Sequence, residues 1–194
     1  MRVIAGTARG TKLAAPAGAQ VTRPTIDRVK EGMFSALQFM LPGAQVLDLF
    51  AGSGQLGIEA LSRGAARCVF VDADRAACAA VRANLKAAKL ERQAEVCETP
   101  AEAYLARCAK RFDLVLMDPP YRADTVAQML AAVEAVVADG GTVMAETEYG
   151  ALLPERCGAL TLKKRYKYGA VALARYEKEP AQPPFAKGEE NHDD

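Results

Sequence analysis

Asp118-Pro119-Pro120-Tyr121 is the stretch of this 194-residue chain with the clearest chemical character. Two consecutive prolines fix φ and remove two N–H donors, so carbonyl oxygens are the polar groups left beside the Asp118 carboxylate. A carboxylate next to a bare carbonyl is an acceptor-only corner, suited to an NH2 group. An aromatic amine is a poor nucleophile because its lone pair is delocalised into the ring. Hydrogen bonds from its two N–H groups to Asp118 and the Pro119 carbonyl favour a pyramidal nitrogen with a directed lone pair. Tyr121 supplies a face on which a base can stack. Such a site works by positioning more than by acid–base power.

A second constellation lies upstream. Asp48-Leu49-Phe50-Ala51-Gly52-Ser53-Gly54-Gln55-Leu56-Gly57 places a G-x-G-x-x-G pattern between an apolar run and a helical pattern. Glycines allow the sharp turn and let a ligand approach the backbone closely. Asp72 ends the next apolar run, where a carboxylate can accept both ribose hydroxyls of a nucleoside. Asp48 precedes the loop and is expected to point into the same crevice. Beside a pyrophosphate it would be repulsive; beside the cationic amino-acid end and sulfonium of S-adenosylmethionine it is attractive. The methyl donor is therefore favoured over a nicotinamide.

What is missing narrows the chemistry further. The single histidine, His192, sits in an acidic tail. Ser-His-Asp and Cys-His hydrolases, His-ligated metals and a His general base all lose their essential residue. The cysteines (68, 78, 97, 108 and 157) form no C-x-x-C pair and read as free thiols of a reduced compartment. No metal is expected.

The elements that must position these groups follow from periodicity. Residues 1–14 read as a short strand-turn-strand, and 26–39 as a helix capped by Thr25 and stopped by Pro42-Gly43. Strands at 46–50, 68–72, 94–98, 112–118 and 140–146 alternate with helices near 55–63, 74–89, 101–109 and 124–138. That rhythm means right-handed βαβ units and a parallel sheet. LTLKKRY (160–166) and AVALARY (170–176) then close the sheet as an antiparallel hairpin. The expected organisation is a basic hairpin and linker over 1–24, a catalytic domain over 25–178 and an acidic disordered tail over 179–194. Ligands in open α/β sheets bind beyond the carboxyl ends of the strands, at the switch point between strands one and four. Asp118 is thereby placed opposite the glycine loop.

The charge is uneven although the net is +1. Residues 1–41 carry six basic side chains against two acids, and residues 159–176 carry five with no acid. This distribution suits a polyanion as well as solvated strand surfaces. Arg2, Arg9, Lys12, Arg23 and Arg28, with Lys163 and Lys164, are the candidate phosphate contacts; Arg23 and Arg28 fit an ion pair with Asp27 or Glu31 equally well. No apolar run approaches the ~20 residues needed to cross a bilayer, and no secretory signal is visible, so a cytoplasmic protein is expected. With no dimerisation stripe, a monomer is the default.

DLFAGSGQLG, the acid at Asp72 and VLMDPPY match the class I amino-methyltransferases. RPTIDRVKEGMF (23–34), EALSRGA (59–65) and the opening MRVIAGTARGTKL resemble, more specifically, the bacterial 16S rRNA guanine-N2 methyltransferases of the RsmD type. The resemblance runs from residue 1 to about 178. It implies a mostly parallel, seven-stranded Rossmann-like sheet, S-adenosylmethionine as donor, and methylation of one guanine of small-subunit rRNA within an assembled or assembling particle. It places cofactor contacts at Asp48, Phe50, Gly52, Ser53, Gly54, Gly57, Asp72, Ala101 and Asp118, and the catalytic corner at Asp118 to Tyr121. One departure is Pro100, where related enzymes place an Asp or Asn for the adenine amino group. Backbone groups near Ala101, or Glu98 or Thr99, must then take that part. The guanine edge offers adjacent N1–H and N2–H donors to a carboxylate, whereas adenine suits Asn better. The rival readings are an adenine-N6 methyltransferase on RNA or DNA, a non-catalytic rRNA-binding assembly factor, and a nicotinamide-dependent oxidoreductase, which leaves Asp118 to Tyr121 unexplained.

Overall fold

Apolar runs long enough to be buried on both faces become the central strands. The structure, a computed structural model, describes residues 1–16, 25–119 and 123–180. Its strands are β1 (Gln45–Leu49), β2 (Arg67–Asp72), β3 (Ala94–Glu98), β4 (Phe112–Met117), β5 (Val137–Glu148), β6 (Arg156–Cys157), β7 (Leu160–Tyr168) and β8 (Val171–Lys178). Between them run α1 (Thr25–Leu37), α2 (Gln55–Ser62), α3 (Arg75–Ala88), α4 (Ala101–Leu105) and α5 (Ala123–Glu134). One sheet results, in the order β3-β2-β1-β4-β5-β8-β7-β6, with β1 to β5 parallel and β8 inserted antiparallel beside β5. The expected α/β class, parallel order and closing hairpin are all present.

Four details differ from the sequence expectation. The sheet has eight strands rather than seven, because the two-residue β6 pairs Arg156 with Thr161 at the edge. The amino-terminal hairpin forms with a single bridge, Arg2 with Lys12, and with backbone bonds from the Val3, Gly10 and Leu13 N–H groups to the carbonyls of Thr11, Val3 and Met1. Its turn is tied to α2 as well: the N–H groups of Ile4 and Ala5 donate to Glu59, and those of Thr7 and Ala8 to Ser62. The helix expected over 101–109 ends at Leu105, where the N–H groups of Arg107 and Cys108 turn back to the carbonyls of Tyr104 and Leu105. The helix expected to reach 138 ends at Glu134, since Val137 already pairs with Phe112.

The two faces of the sheet carry separate cores. One packs Val29, Met33, Phe34 and Leu37 of α1, Ile58 of α2, and Val81 and Leu85 of α3 onto Val46, Phe70, Leu114, Leu116 and Met144. The other packs α4 and α5 onto Leu47, Val71, Val115, Met117 and Ala145. Side chains alternate across a strand, so even-numbered residues of β1, β2, β4 and β5 face α1 to α3. At Gly32 of α1, an added Cβ would lie 1.9 Å from the Tyr168 hydroxyl, so the helix rests directly on the tip of that β7 side chain. No helix among the described residues is long and apolar enough to cross a membrane.

Candidate functional site

Alternation brings five acids to one end of one face. The parallel registers pair Asp48 with Phe70 and with Leu116, Asp72 with Glu98, and Met117 with Ala145. One step beyond the last pair stand Asp118 and Glu146. Along the carboxyl ends of the strands the row therefore reads Glu98, Asp72, a gap, Asp118, Glu146, with Asp48 one row beneath. The gap is the place of Phe50, where the chain leaves β1 with φ +61. A bulky residue in that left-handed region costs on the order of 1 kcal/mol or more and persists only where its surroundings hold it. This is the end of the sheet at which a ligand crevice between strands one and four is expected.

The glycine loop divides its labour. Gly52 (φ +55) and Gly54 (φ +75) both need left-handed backbone. A Cβ on Gly52 would meet nothing nearer than 4.0 Å, so that residue borders open space. At Gly57 a Cβ would lie 2.3 Å from the Phe70 ring, so this third glycine serves close packing of α2 on β2 rather than the crevice. Ser53 is buried, its hydroxyl 3.7 Å from the Met1 sulfur and its carbonyl accepting from Asn84. It fixes the loop to the amino-terminal segment and to α3.

Asp72 accepts the Gly52 N–H on one carboxylate oxygen and the Asp74 N–H on the other, each at 2.8 Å. Each oxygen keeps a lone pair for a further donor, as two ribose hydroxyls require. Ala101 opens α4, in the first turn where helical N–H groups lack intrahelical acceptors. Asp48 has a partner in the loop that the sequence did not foretell. It is 1% exposed and turned beneath the loop, where its Oδ2 accepts the Gly57 N–H at 2.9 Å. Burial pushes its pKa up to about 8, with the Asp118 and Asp72 charges adding to the rise. Three mutually repelling acids around one gap favour a ligand that brings positive charge. The residues present thus fit a cationic nucleoside such as S-adenosylmethionine.

Burial likewise pushes Asp118 up to about 6 and Glu146 up to about 7, with Asp118 adding to the Glu146 shift. Pro119 beside Asp118 is buried. Pro120 and Tyr121 lie outside the described residues, as does Arg23. Glu146 carries no motif and was not among the residues expected from the sequence; its signal is parity with the buried Met144 on β5.

The basic candidates are exposed. Arg2, Arg9, Lys12 and Arg28 make no ion pair among the described residues, so an Arg28–Glu31 pair is not formed. Lys163 is also exposed, and Lys164 sits 5.0 Å from the centre of the Tyr166 ring. Nearby, Lys167 stands 3.8 Å over the exposed ring of Tyr149, which the sequence reading did not single out. All five cysteines are free.

Comparison with known proteins places this architecture. The family model described as "Conserved hypothetical protein 95" matches residues 1–177. A Bacillus subtilis (strain 168) protein, provisionally named rRNA methyltransferase YlbH, is 41% identical over 92% of this chain and 99% of its own length. "Ribosomal RNA small subunit methyltransferase D" of Escherichia coli (strain K12) is 35% identical over 100% of this chain and 94% of its own. Among solved structures, the Escherichia coli protein provisionally named methyltransferase yhhF superposes with a TM-score of 0.81 at 35% identity. It covers 93% of this chain and 98% of its own.

Proposed function

The chain belongs to the family described as conserved hypothetical protein 95, and on that premise we propose that Asp118 receives the exocyclic N2 amino group of one guanine in small-subunit rRNA. The protein is an rRNA methyltransferase with S-adenosylmethionine as its donor. The observation that carries the reading of the acceptor is the position of Asp118: half-buried, at the switch point, across the gap from Asp72, and without a hydrogen-bond donor among the described residues.

S-Adenosylmethionine supplies a methyl group already activated on a sulfonium, so the chain's own residues have to bind, orient and exclude water. Asp72 takes the ribose hydroxyls, and the first turn of α4 at Ala101 faces the adenine. Phe50, Gly52 and Gly54 shape the wall of the gap. Asp48 and Asp118 offer negative charge to its cationic end. Asp118 and the Pro119 carbonyl accept N–H bonds from the acceptor amine, aim its lone pair and hold its proton as it is released; Tyr121 stacks the base. Arg2, Arg9, Lys12, Arg23 and Arg28 on one side, and Lys163, Lys164 and the Lys167–Tyr149 pair on the other, take rRNA phosphates, with the substrate presented as a small-subunit particle and the enzyme acting as a cytoplasmic monomer.

The test is nucleoside mass spectrometry of unmodified small-subunit rRNA, naked and in particles, after incubation with the protein and S-adenosylmethionine. N2-Methylguanosine is expected. N6-Methyladenosine in its place, or no methylated nucleoside, overturns the reading.

A further inference from the structure

Asp118 and Glu146 occupy consecutive places in the row at the carboxyl ends of β4 and β5, one step past the Met117–Ala145 pair. Neighbouring strands lie about 4.8 Å apart, so two acids on the same face can reach one small ligand together. Neither carboxylate accepts a hydrogen bond from any described residue. The row continues from Glu146 to Leu173 and then Tyr166, both packed against the core beneath α1, so that flank supplies no cation. No group of acids, cysteines or histidines among the described residues is arranged to hold a metal ion. Two adjacent half-buried acceptors that the fold gives no donor keep their lone pairs for a ligand that supplies N–H groups to both.

We infer that Glu146 is the base-reading residue of this site: its carboxylate accepts the guanine N1–H while Asp118 accepts an N2–H. The inference rests on the reading of the acceptor as a guanine amino group and assigns the neighbouring donor on the same edge to a second acid. Guanine presents N1–H and N2–H side by side. Adenine presents one amino donor beside a bare N1 lone pair, which would face the Glu146 oxygens acceptor to acceptor. Asp118 alone could bond the amino group of either base. The strand beside it then decides between them, and Asp118 is left free to orient the N2 lone pair. Burial and the Asp118 charge both raise the pKa of Glu146, as expected for an acid that lacks a partner until the base arrives.

The experiment uses the full-length protein and small-subunit rRNA carrying, at the methylated position, either guanine or 2-aminopurine. The analogue keeps the 2-amino group but has a bare acceptor at N1. Sites built to bond a polar group reject analogues lacking it by large factors, so the wild type is expected to prefer guanine by ~100-fold or more in kcat/KM. Glu146→Gln can turn its amide NH2 towards a bare N1. It should lose on guanine and gain on 2-aminopurine, lowering the preference by at least ~30-fold, with affinity for S-adenosylmethionine and melting temperature maintained. Glu146→Asp should keep the preference at a reduced rate. A wild type that methylates both bases equally overturns the inference without any variant, as does a Glu146→Gln enzyme that slows on both alike. If the wild type makes no N2-methylguanosine, the reading of the site has failed instead.

Discussion

Two sets of carboxylates, one buried and one half-buried, lie on the same side of the sheet and differ in what surrounds them. Glu59 on α2 is fully buried and accepts from the Ile4 and Ala5 N–H groups, at 2.8 and 3.0 Å, and from Arg63 at 2.8 Å. Lys30 of α1 stands 3.5 Å away and donates to the Arg2 carbonyl at 2.8 Å. Its neighbour Ser62 accepts the Ala8 N–H and donates to the Ala5 carbonyl. At the carboxyl ends of the strands, Asp118 and Glu146 are half-buried and have no donor among the described residues. A carboxylate whose acceptors are all filled by its own chain has no capacity left for a ligand. One buried without donors is a cost to the fold, sustained where a ligand completes it. Burial of an acid therefore does not distinguish framework from site, but the account of its lone pairs does.

Removing Glu59 is the strongest way to test the framework half of that contrast. Glu59→Ala removes the carboxylate that faces Lys30 and Arg63 and leaves two backbone N–H groups without their acceptor. Breaking a buried pair by deleting one partner costs about 3–5 kcal/mol. Chemical denaturation should show a loss of that size, with activity per folded molecule retained. A variant as stable as the wild type would dismantle the contrast from this side.

At the other end the effect moves from stability to turnover. Asp118→Ala is expected to lower kcat by about 100- to 1000-fold, the range seen when one preorganised polar group is removed from an active site, or about 3–4 kcal/mol. Its melting temperature should hold or rise, because an acid without partners has been deleted. Full activity in that variant would remove the role assigned to the corner.

These two regions were unequally legible in the sequence. Asp48, Gly52, Asp72 and Asp118 announce themselves because each is fixed by its own strand end, and strand parity puts them on one face with no tertiary information. Glu146 obeys the same parity but lies in a strand with no motif, so only the register of β4 on β5 reveals its neighbour. Lys30 and Glu59 both fall within segments that carry the family resemblance. Their contact joins α1 to α2 across 29 residues of sequence, and no local pattern encodes such a pair. The same kind of long-range bond ties the turn of the amino-terminal hairpin to α2, beside the cross-strand bonds that the hairpin keeps. Asp48 was found by its position, but its bond to the Gly57 N–H was not, because nothing local shows which donor of the loop a strand-end carboxylate will take.

Asp48 is intermediate between the two regions, with one donor and two acidic neighbours, and its effect should be intermediate too. Its folded-state pKa of about 8 lies above the ordinary carboxylate value of 3.8, so between those pH values the folded chain binds the extra proton. That stability is present in full below the unfolded value and is lost as pH rises through the folded one. Asp118 and Glu146, raised to about 6 and 7, add in the same direction. The ligand-free protein should melt lower at pH 8.5 than at pH 5.5. Asp48→Asn can still accept from Gly57 and should recover part of that loss, roughly 1–3 kcal/mol or about 3–10 °C. It should also bind S-adenosylmethionine more weakly. A melting temperature rising towards pH 8.5 would contradict the account of this acid.

The smallest effects belong to the exposed cations, which have solvent rather than partners and so lie outside both regions. Each Lys or Arg that neutralises one rRNA phosphate contributes through counterion release, visible as the slope of log affinity against log salt. Arg9→Ala beside the amino-terminal bridge, and Lys164→Ala on β7, should each weaken rRNA binding a few-fold at moderate salt and flatten that slope by about 0.7–0.9. Cofactor affinity and melting temperature should not change, since neither side chain has an ion pair in the fold. If the rRNA spans from the amino-terminal segment to the β7–β8 hairpin, the double variant loses both contributions and the losses add, as they do for separate sites. A slope unchanged by Lys164→Ala but flattened by Arg9→Ala would confine the polyanion to the amino-terminal side and leave the charge on the hairpin as a solvated surface.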